Sequence, residues 1–191
     1  MKSHIKLLTC AVSLVLTGCG TVSVPDNVKT AGDYINNIRY SHTPAVDFAK
    51  VKQCVALNIS NDNVRLTDNN GSFVGQYTGR YYNINNSHTD FAPNTLVTID
   101  EFHRYLIVNG NTYYTARMIG NAVRFKLQIQ VRPNNNEINL LFDNITRAQL
   151  NTGSLSNTGF TPVGVWYGAG TEDVIKAIDI VKNNLTDCFN N

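Results

Sequence analysis

His88 lies two residues before Asp90, and Asp100-Glu101 lies just before His103. With His42, these are the histidines of the body of the chain, and these pairs are where histidine comes close to carboxylate. A metal site needs three or four ligands in fixed geometry, and neither spacing supplies that. Both groups read as surface loops. Paired-carboxylate chemistry needs two acids across a cleft. The chain has three glutamates, Glu101, Glu137 and Glu172, and its aspartates lie in turn-like contexts. No G-x-S-x-G, H-E-x-x-H or P-loop occurs. The expectation is a non-enzyme with no cofactor and no metal. An envelope hydrolase using His42, His88, His103 and nearby carboxylates is the remotest alternative.

Two other groups of side chains are suited to recognition. In Val123 to Arg132, Arg124, Lys126, Gln128, Gln130 and Arg132 alternate with Val123, Phe125, Leu127, Ile129 and Val131. A period of two marks a β-strand with one buried and one wet face. The wet face is a row of donors, with Arg117 and Arg147 as further positive charge. It either faces solvent or meets an acidic partner or anionic glycan. The second group is Trp166-Tyr167 beside Gly168-Ala169-Gly170. Aromatics in a loop either anchor a partner or bury against the sheet. Gly168 to Thr171 before a helix would attract an anion, but Glu172 and Asp173 put negative charge there, so it reads as a helix start with Thr171 as cap.

The N-terminus carries an address. Lys2 and Lys6 precede an apolar run from Ile5 to Leu16, which ends in Leu16-Thr17-Gly18-Cys19. The run is shorter than the roughly 20 apolar residues of a membrane-spanning helix. The ordered set of charged start, apolar run and L-T-G-C resembles the lipobox of bacterial lipoproteins. That resemblance implies removal of residues 1–18 and lipid on Cys19, with several acyl chains for stable anchoring. Residues 19–25 would then be a lipidated tether. Gly20 in place of aspartate implies the outer membrane, with the body on the periplasmic side.

Removing the leader leaves 14 basic against 14 acidic residues. That balance argues against a nucleic-acid partner. Cys54 and Cys188 remain as a pair in an oxidising compartment, which points to a disulfide. Asparagine clusters such as Asn134-Asn135-Asn136 suit turns.

The positioning elements follow from periodicity. Asp26 is placed to cap a helix over 27–40, with Val28, Ala31, Ile35 and Ile38 on one face. Thr43-Pro44 starts a second helix reaching about Asn58, with a strand over 51–59 as the alternative. In 61–94, Val64 to Thr67 and Phe73 to Tyr82 read as strands and 83–93 as loop. Asn109-Gly110 reads as the turn of a hairpin between 104–108 and 111–118. Gly120-Asn121 turns into the alternating strand, and 137–145 returns, which makes a four-strand meander over 104–145. Val163 to Tyr167 is a candidate edge strand. Val174, Ile178, Val181 and Leu185 give a C-terminal helix over 172–185.

The expected fold is α+β: residues 26–191 form one domain. It has an antiparallel sheet of four to six strands, with the C-terminal helix and one or two N-terminal helices on one face. The order of elements looks similar to small lipoproteins with a TATA-binding-protein-like body, a likeness of layout alone. The expected role is a membrane-anchored envelope lipoprotein that binds another envelope protein through the strand's wet face or the Trp166 loop. The alternative is a small-ligand or glycan carrier with a tyrosine-lined pocket between sheet and helices.

Overall fold

The computed structural model describes residues 22–191. Residues 1–18, the lipobox and Cys19 lie outside the described residues. Elements run in the order β1 (Val28–Ala31), β2 (Tyr34–His42), α1 (Phe48–Asn58), β3 (Val64–Asp68), β4 (Phe73–Val74), β5 (Tyr81–Tyr82), β6 (Asn86–Asp90), β7 (Leu96–Asp100), β8 (Tyr105–Ala116), β9 (Ile119–Arg132), β10 (Glu137–Gln149), β11 (Thr161–Pro162) and α2 (Thr171–Asn190). The fold is α+β. Its main sheet is antiparallel, ordered β1-β2-β10-β9-β8-β7, and β11 joins β10. That makes seven strands, more than expected.

β9 is central because its alternation serves two surfaces. Val123, Phe125, Leu127, Ile129 and Val131 are buried against the helices. They meet Phe142 and Leu140 of β10, and Val174, Ile178, Val181 and Leu185 of α2, in one core. Burying a side chain of this kind contributes about 1.5–3 kcal/mol. α2 extends past its expected end and takes Cys188 into its last turns, where it is bonded to Cys54 of α1.

The expected helix over 27–40 is instead the β1–β2 hairpin. Gly32, with φ of 58°, sits in its two-residue connection, where a residue with a side chain would be strained. The misreading has a physical cause. Lys29 pairs with Asn37 while Thr30 pairs with Ile35, so Asn36 is an extra, bulged residue. The bulge returns Ile35 and Ile38 to one face, and both are buried. A three-residue apolar spacing that reads as helix is therefore a strand with a bulge. The second expected helix does form, but begins at Phe48 rather than at Pro44.

Asn109-Gly110 is not a turn. β8 runs unbroken through it, and Gly110 lies opposite Phe125. A Cβ there would lie 2.7 Å from the Phe125 ring and 2.8 Å from Ile59 Cγ2. The glycine serves close packing. The chain reverses at Arg117-Met118, both at positive φ (49° and 66°) between paired Ala116 and Ile119. Gly120-Asn121 belongs to β9. The meander thus has three long strands where four were expected.

Residues 61–94 cover part of the other sheet face. β3 pairs with β6, and Val64 and Leu66 form a second small core with Ala122 and Ala148, flanked by Leu150 and Phe160. The strand expected over 73–82 is split into the short β4–β5 hairpin, and the expected 83–93 loop contains β6. Asp68 ties this region together. Its carboxylate accepts from Asn70 N–H (2.9 Å), Asn86 Nδ2 (2.7 Å) and Asn157 N–H (2.9 Å). Those bonds, led by Asn86, hold its pKa below the usual carboxylate range.

Two outcomes follow for stability. Replacing Cys54 and Cys188 by serine should lower unfolding free energy by about 4–5 kcal/mol, because the bond closes a very long loop; a urea titration with an unchanged midpoint would refute this. A depressed carboxylate contributes stability above its unfolded pKa that is lost as pH falls through the folded value. Asp68→Asn should therefore lower the urea midpoint at neutral pH and flatten its decline in acid. Parallel acid limbs in the two proteins would show that Asp68 does not act this way.

Candidate functional site

The wet face of β9 is divided in two. At its N-terminal half, the β3–β6 pair and the 150–160 loop cover it. Arg124 lies under this cover, with its side chain 15% exposed. It pairs with the Asp90 carboxylate, donates to the Asp90 carbonyl at 2.9 Å, and stacks 4.1 Å over the Phe160 ring. Arg124 is thus engaged within the fold. A charge taken this far from water requires such partners.

Past Lys126 the face is open. Gln128, Gln130 and Arg132 line a concavity of about 430 Å³ together with Tyr105 of β8, Asn139 of β10 and Arg39 of β2. Register accounts for this assembly. Gln130 lies opposite Tyr105 on one side and Asn139 on the other, and Arg39 lies opposite Leu141. Tyr105 Oη donates to Gln128 Oε1, and Gln128 Nε2 donates to an Asp143 carboxylate oxygen. Burial, and then the Asp143 charge, push the Tyr105 hydroxyl above its ordinary pKa, so it stays a proton donor at neutral pH. Arg132 reaches Gln130 Oε1 at 3.3 Å, and Arg39 reaches Asn37 Oδ1 at 3.2 Å. Neither guanidinium is in an ion pair among the described residues, where the pairs are Lys52–Glu101, His103–Asp100 and Arg124–Asp90. The concavity offers fixed donors and two unspent positive charges. It holds no nucleophile with a base beside it.

Trp166 and Tyr167 lie at the other end of β9, on the helix side. They border a cavity of about 310 Å³ with Tyr114, Asn121, Arg147 and Val22. Trp166 is half-exposed. Its ring folds back over Gly164, where a Cβ would come within 2.2 Å of it, and meets Tyr34 edge-on at 5.6 Å. Gly170, at φ of 76°, admits the Arg147 guanidinium, since a Cβ there would lie 2.3 Å from it. The Tyr114 hydroxyl is buried beside Arg147 without a hydrogen bond of good geometry. Burial raises its pKa, although Arg147 acts the other way. Thr171 does not cap α2: Gly170 holds that position, and the Thr171 hydroxyl donates to Gly164 O at 2.7 Å.

The histidines are dispersed. His103 Nδ1 lies 2.6 Å from Asp100 Oδ2 on an exposed turn. His88 is on β6, and His42 packs against Phe189. No cluster of three or more His, Cys, Asp or Glu side chains fit for a metal occurs among the described residues. Most of the space between sheet and α2, where the alternative carrier reading puts a ligand pocket, is filled by core side chains such as Phe125, Phe142 and Ile178.

The sequence row therefore supplies Gln128, Gln130 and Arg132 to the open site, leaves Lys126 at its margin, and spends Arg124 elsewhere. Trp166 and Tyr167 belong to a separate surface. Tyr105, Arg39 and Asn139 were missed. Tyr105 was assigned a false hairpin, and Arg39 a false helix, so neither could be set in register with Gln130.

No protein-family model matches the chain, and no curated protein does. Among solved structures it is similar to a DUF4468 family protein from Bacteroides ovatus, with 8% identity, 86% of this chain and 91% of that one covered, and a TM-score of 0.48. At that level the likeness bears on neither family nor function.

The two halves of the face should respond differently to mutation. Arg124→Ala should cost about 2 kcal/mol in a denaturant titration, because it removes charged hydrogen bonds to Asp90 and the stack on Phe160 from a largely covered position. Gln130→Ala and Arg132→Ala should stay within about 0.5 kcal/mol of the parent. Equal losses at all three positions would contradict the division.

Proposed function

We propose that the chain is a lipid-anchored envelope lipoprotein without catalytic activity, which uses the open half of its sheet to hold an acidic surface of another envelope protein. The single observation that carries the reading is the pair of unspent guanidiniums, Arg39 and Arg132, on either side of a concave row of preset donors. Guanidinium groups present several N–H donors in a fixed fork that matches carboxylates. The Tyr105–Gln128–Asp143 chain of hydrogen bonds holds the floor of the site in one arrangement, which lowers the ordering cost of binding.

The anchor rests on the lipobox resemblance around Cys19. The body is compatible with it: no helix among the described residues is long and apolar enough to cross a membrane. A disulfide between Cys54 and Cys188 suits an oxidising compartment. Gly20 favours the outer membrane, with the body on the periplasmic side.

Photo-crosslinking in living cells provides the test. A photoreactive side chain at Gln130 should capture one discrete envelope protein, and Arg39→Glu with Arg132→Glu should abolish that capture while leaving expression unchanged. A well-expressed protein that captures nothing at Gln130, or captures the same product with both charges reversed, would sink the reading.

A further inference from the structure

The end of the molecule opposite the open site carries a set of exposed apolar side chains that the proposed binding does not use. Three segments contribute. The Arg117-Met118 turn presents Met118, 97% exposed. The 166–167 segment presents Tyr167, 81% exposed, with Trp166 and Tyr34 beside it. The third is the β4–β5 hairpin, whose Phe73, Val74, Tyr81 and Tyr82 are exposed and whose tip residue Tyr77 is 97% exposed. Phe73 stacks on Tyr82 at 5.0 Å, which holds the hairpin's aromatics as a unit.

Backbone hydrogen bonds place the three segments at one end. Val64 of β3 pairs with Asp90, whose carboxylate holds Arg124. Three residues on, Thr67 N–H donates to Leu150 O, and Leu150 N–H donates to Gly120 O, both at 2.9 Å. β3 thus carries the chain from the level of Arg124 to that of Gly120, beside Met118, and the hairpin departs from there. On the helix side, Arg117 and Ile119 border the same cavity as Trp166 and Tyr167.

Val22 also lies at this end. Its N–H donates to Val165 O at 2.9 Å, and its side chain borders the Trp166 cavity. Cys19 is three residues earlier in the chain. Three residues span at most about 11 Å. A lipid on Cys19 would therefore hold this end, and no other, against the bilayer.

We propose that this end docks on the phospholipid surface, with Trp166, Tyr167, Met118 and the 73–84 hairpin in the interfacial layer; the proposal rests on the lipid-anchor reading. The chemistry fits the occupant. Tryptophan and tyrosine are favoured at the membrane–water boundary, where the ring body is apolar and the tip is wet. Exposed apolar side chains gathered at one end of a molecule mark an interaction surface. Residues 69–85 contain no acidic side chain, and exposed Arg80 and Arg117 supply positive charge toward anionic headgroups, against which Glu172 and Asp173 at the rim of the Trp166 cavity act. β9 then separates membrane from binding site: Ile119 to Ile129 spans roughly 33 Å at strand rise, which sets the Arg39–Arg132 concavity well out in the periplasm.

Trp166 is the single tryptophan of the chain and reports directly. The full lipidated protein, purified from membranes, is placed in vesicles of phosphatidylethanolamine with a minority of phosphatidylglycerol, with or without brominated acyl chains. Mass spectrometry first records the lipid on Cys19. Trp166 emission should shift to the blue and fall about twofold with brominated lipid, as should that of Tyr77→Trp in a Trp166→Phe background. Phe102→Trp in that background, on the turn beside Tyr105, should be unaffected. Lipid present on Cys19 with no quenching at Trp166 or Tyr77→Trp overturns the docking and leaves the anchor standing. Quenching at Phe102→Trp equal to the others also overturns it, since the body would then lie along the bilayer. Absence of quenching with a dimeric mass in detergent that Tyr77→Asp dissociates assigns the patch to a second copy instead. An unmodified Cys19 overturns anchor and docking together.

Discussion

β9 is laddered to β8 along its whole length and to β10 on both sides of a bulge at Asn144-Ile145, opposite Phe125, and this allows the strand's helix-facing side chains to lie in a dry core. With that ladder in place, Phe125, Leu127 and Ile129 form a floor on which α2 buries its own apolar stripe. α1 packs against α2 and is bonded to it through Cys54 and Cys188. The opposite face inherits its position from the same ladder. Because side chains alternate strictly, fixing the core residues also fixes Arg124, Lys126, Gln128 and Gln130 on the far side. Chemistry on that face depends on what covers it, and the cover ends near Lys126.

Where a local pattern had one physical cause, it could be read. The alternation of β9 and the apolar face of α2 arise from burial alone, and both elements cover the expected residues, each running beyond them. The disulfide was legible because the remaining cysteines made a pair. The errors arose where one pattern had two possible causes. Ile35 and Ile38 share a face through a bulge at Asn36, and their spacing imitates a helical turn. Gly110 follows an asparagine, as in a tight hairpin, yet it is small because Phe125 and Ile59 press on it. The true turn, Arg117-Met118, has neither residue that its backbone favours. Sequence windows do not reveal such long-range contacts, and the open site depended on both misread segments.

Asparagine was read as a turn former, and its role is wider. Asn86 and the backbone of Asn70 and Asn157 converge on Asp68, while Asn69 donates to Asn83, Asn85 and the Ile84 carbonyl. Short amide side chains bridge segments that have few apolar residues to pack. This explains how 61–94 stays ordered over a core of only Val64, Leu66, Ala122 and Ala148 with two flanking side chains. A short apolar cluster gives little burial, so polar bonds to one carboxylate carry much of the organisation there.

The cover made by 61–94 also gives the molecule its polarity. The same segment that seals Arg124 carries the chain through Thr67 and Leu150 to the level of Gly120, and the β4–β5 hairpin departs from there. Its base and its tip therefore do opposite things: the base removes charge from solvent, and the tip exposes aromatics to it. Such exposure is unfavourable in water unless something else covers the rings. Val22, three residues after Cys19, is bonded to Val165 at that same end. A chain tethered there can shield those rings against lipid without any change of shape, and it leaves the guanidinium-flanked concavity pointing away. Anchor, aromatics and donor row then lie along one axis, and the length of β9 sets the distance between them.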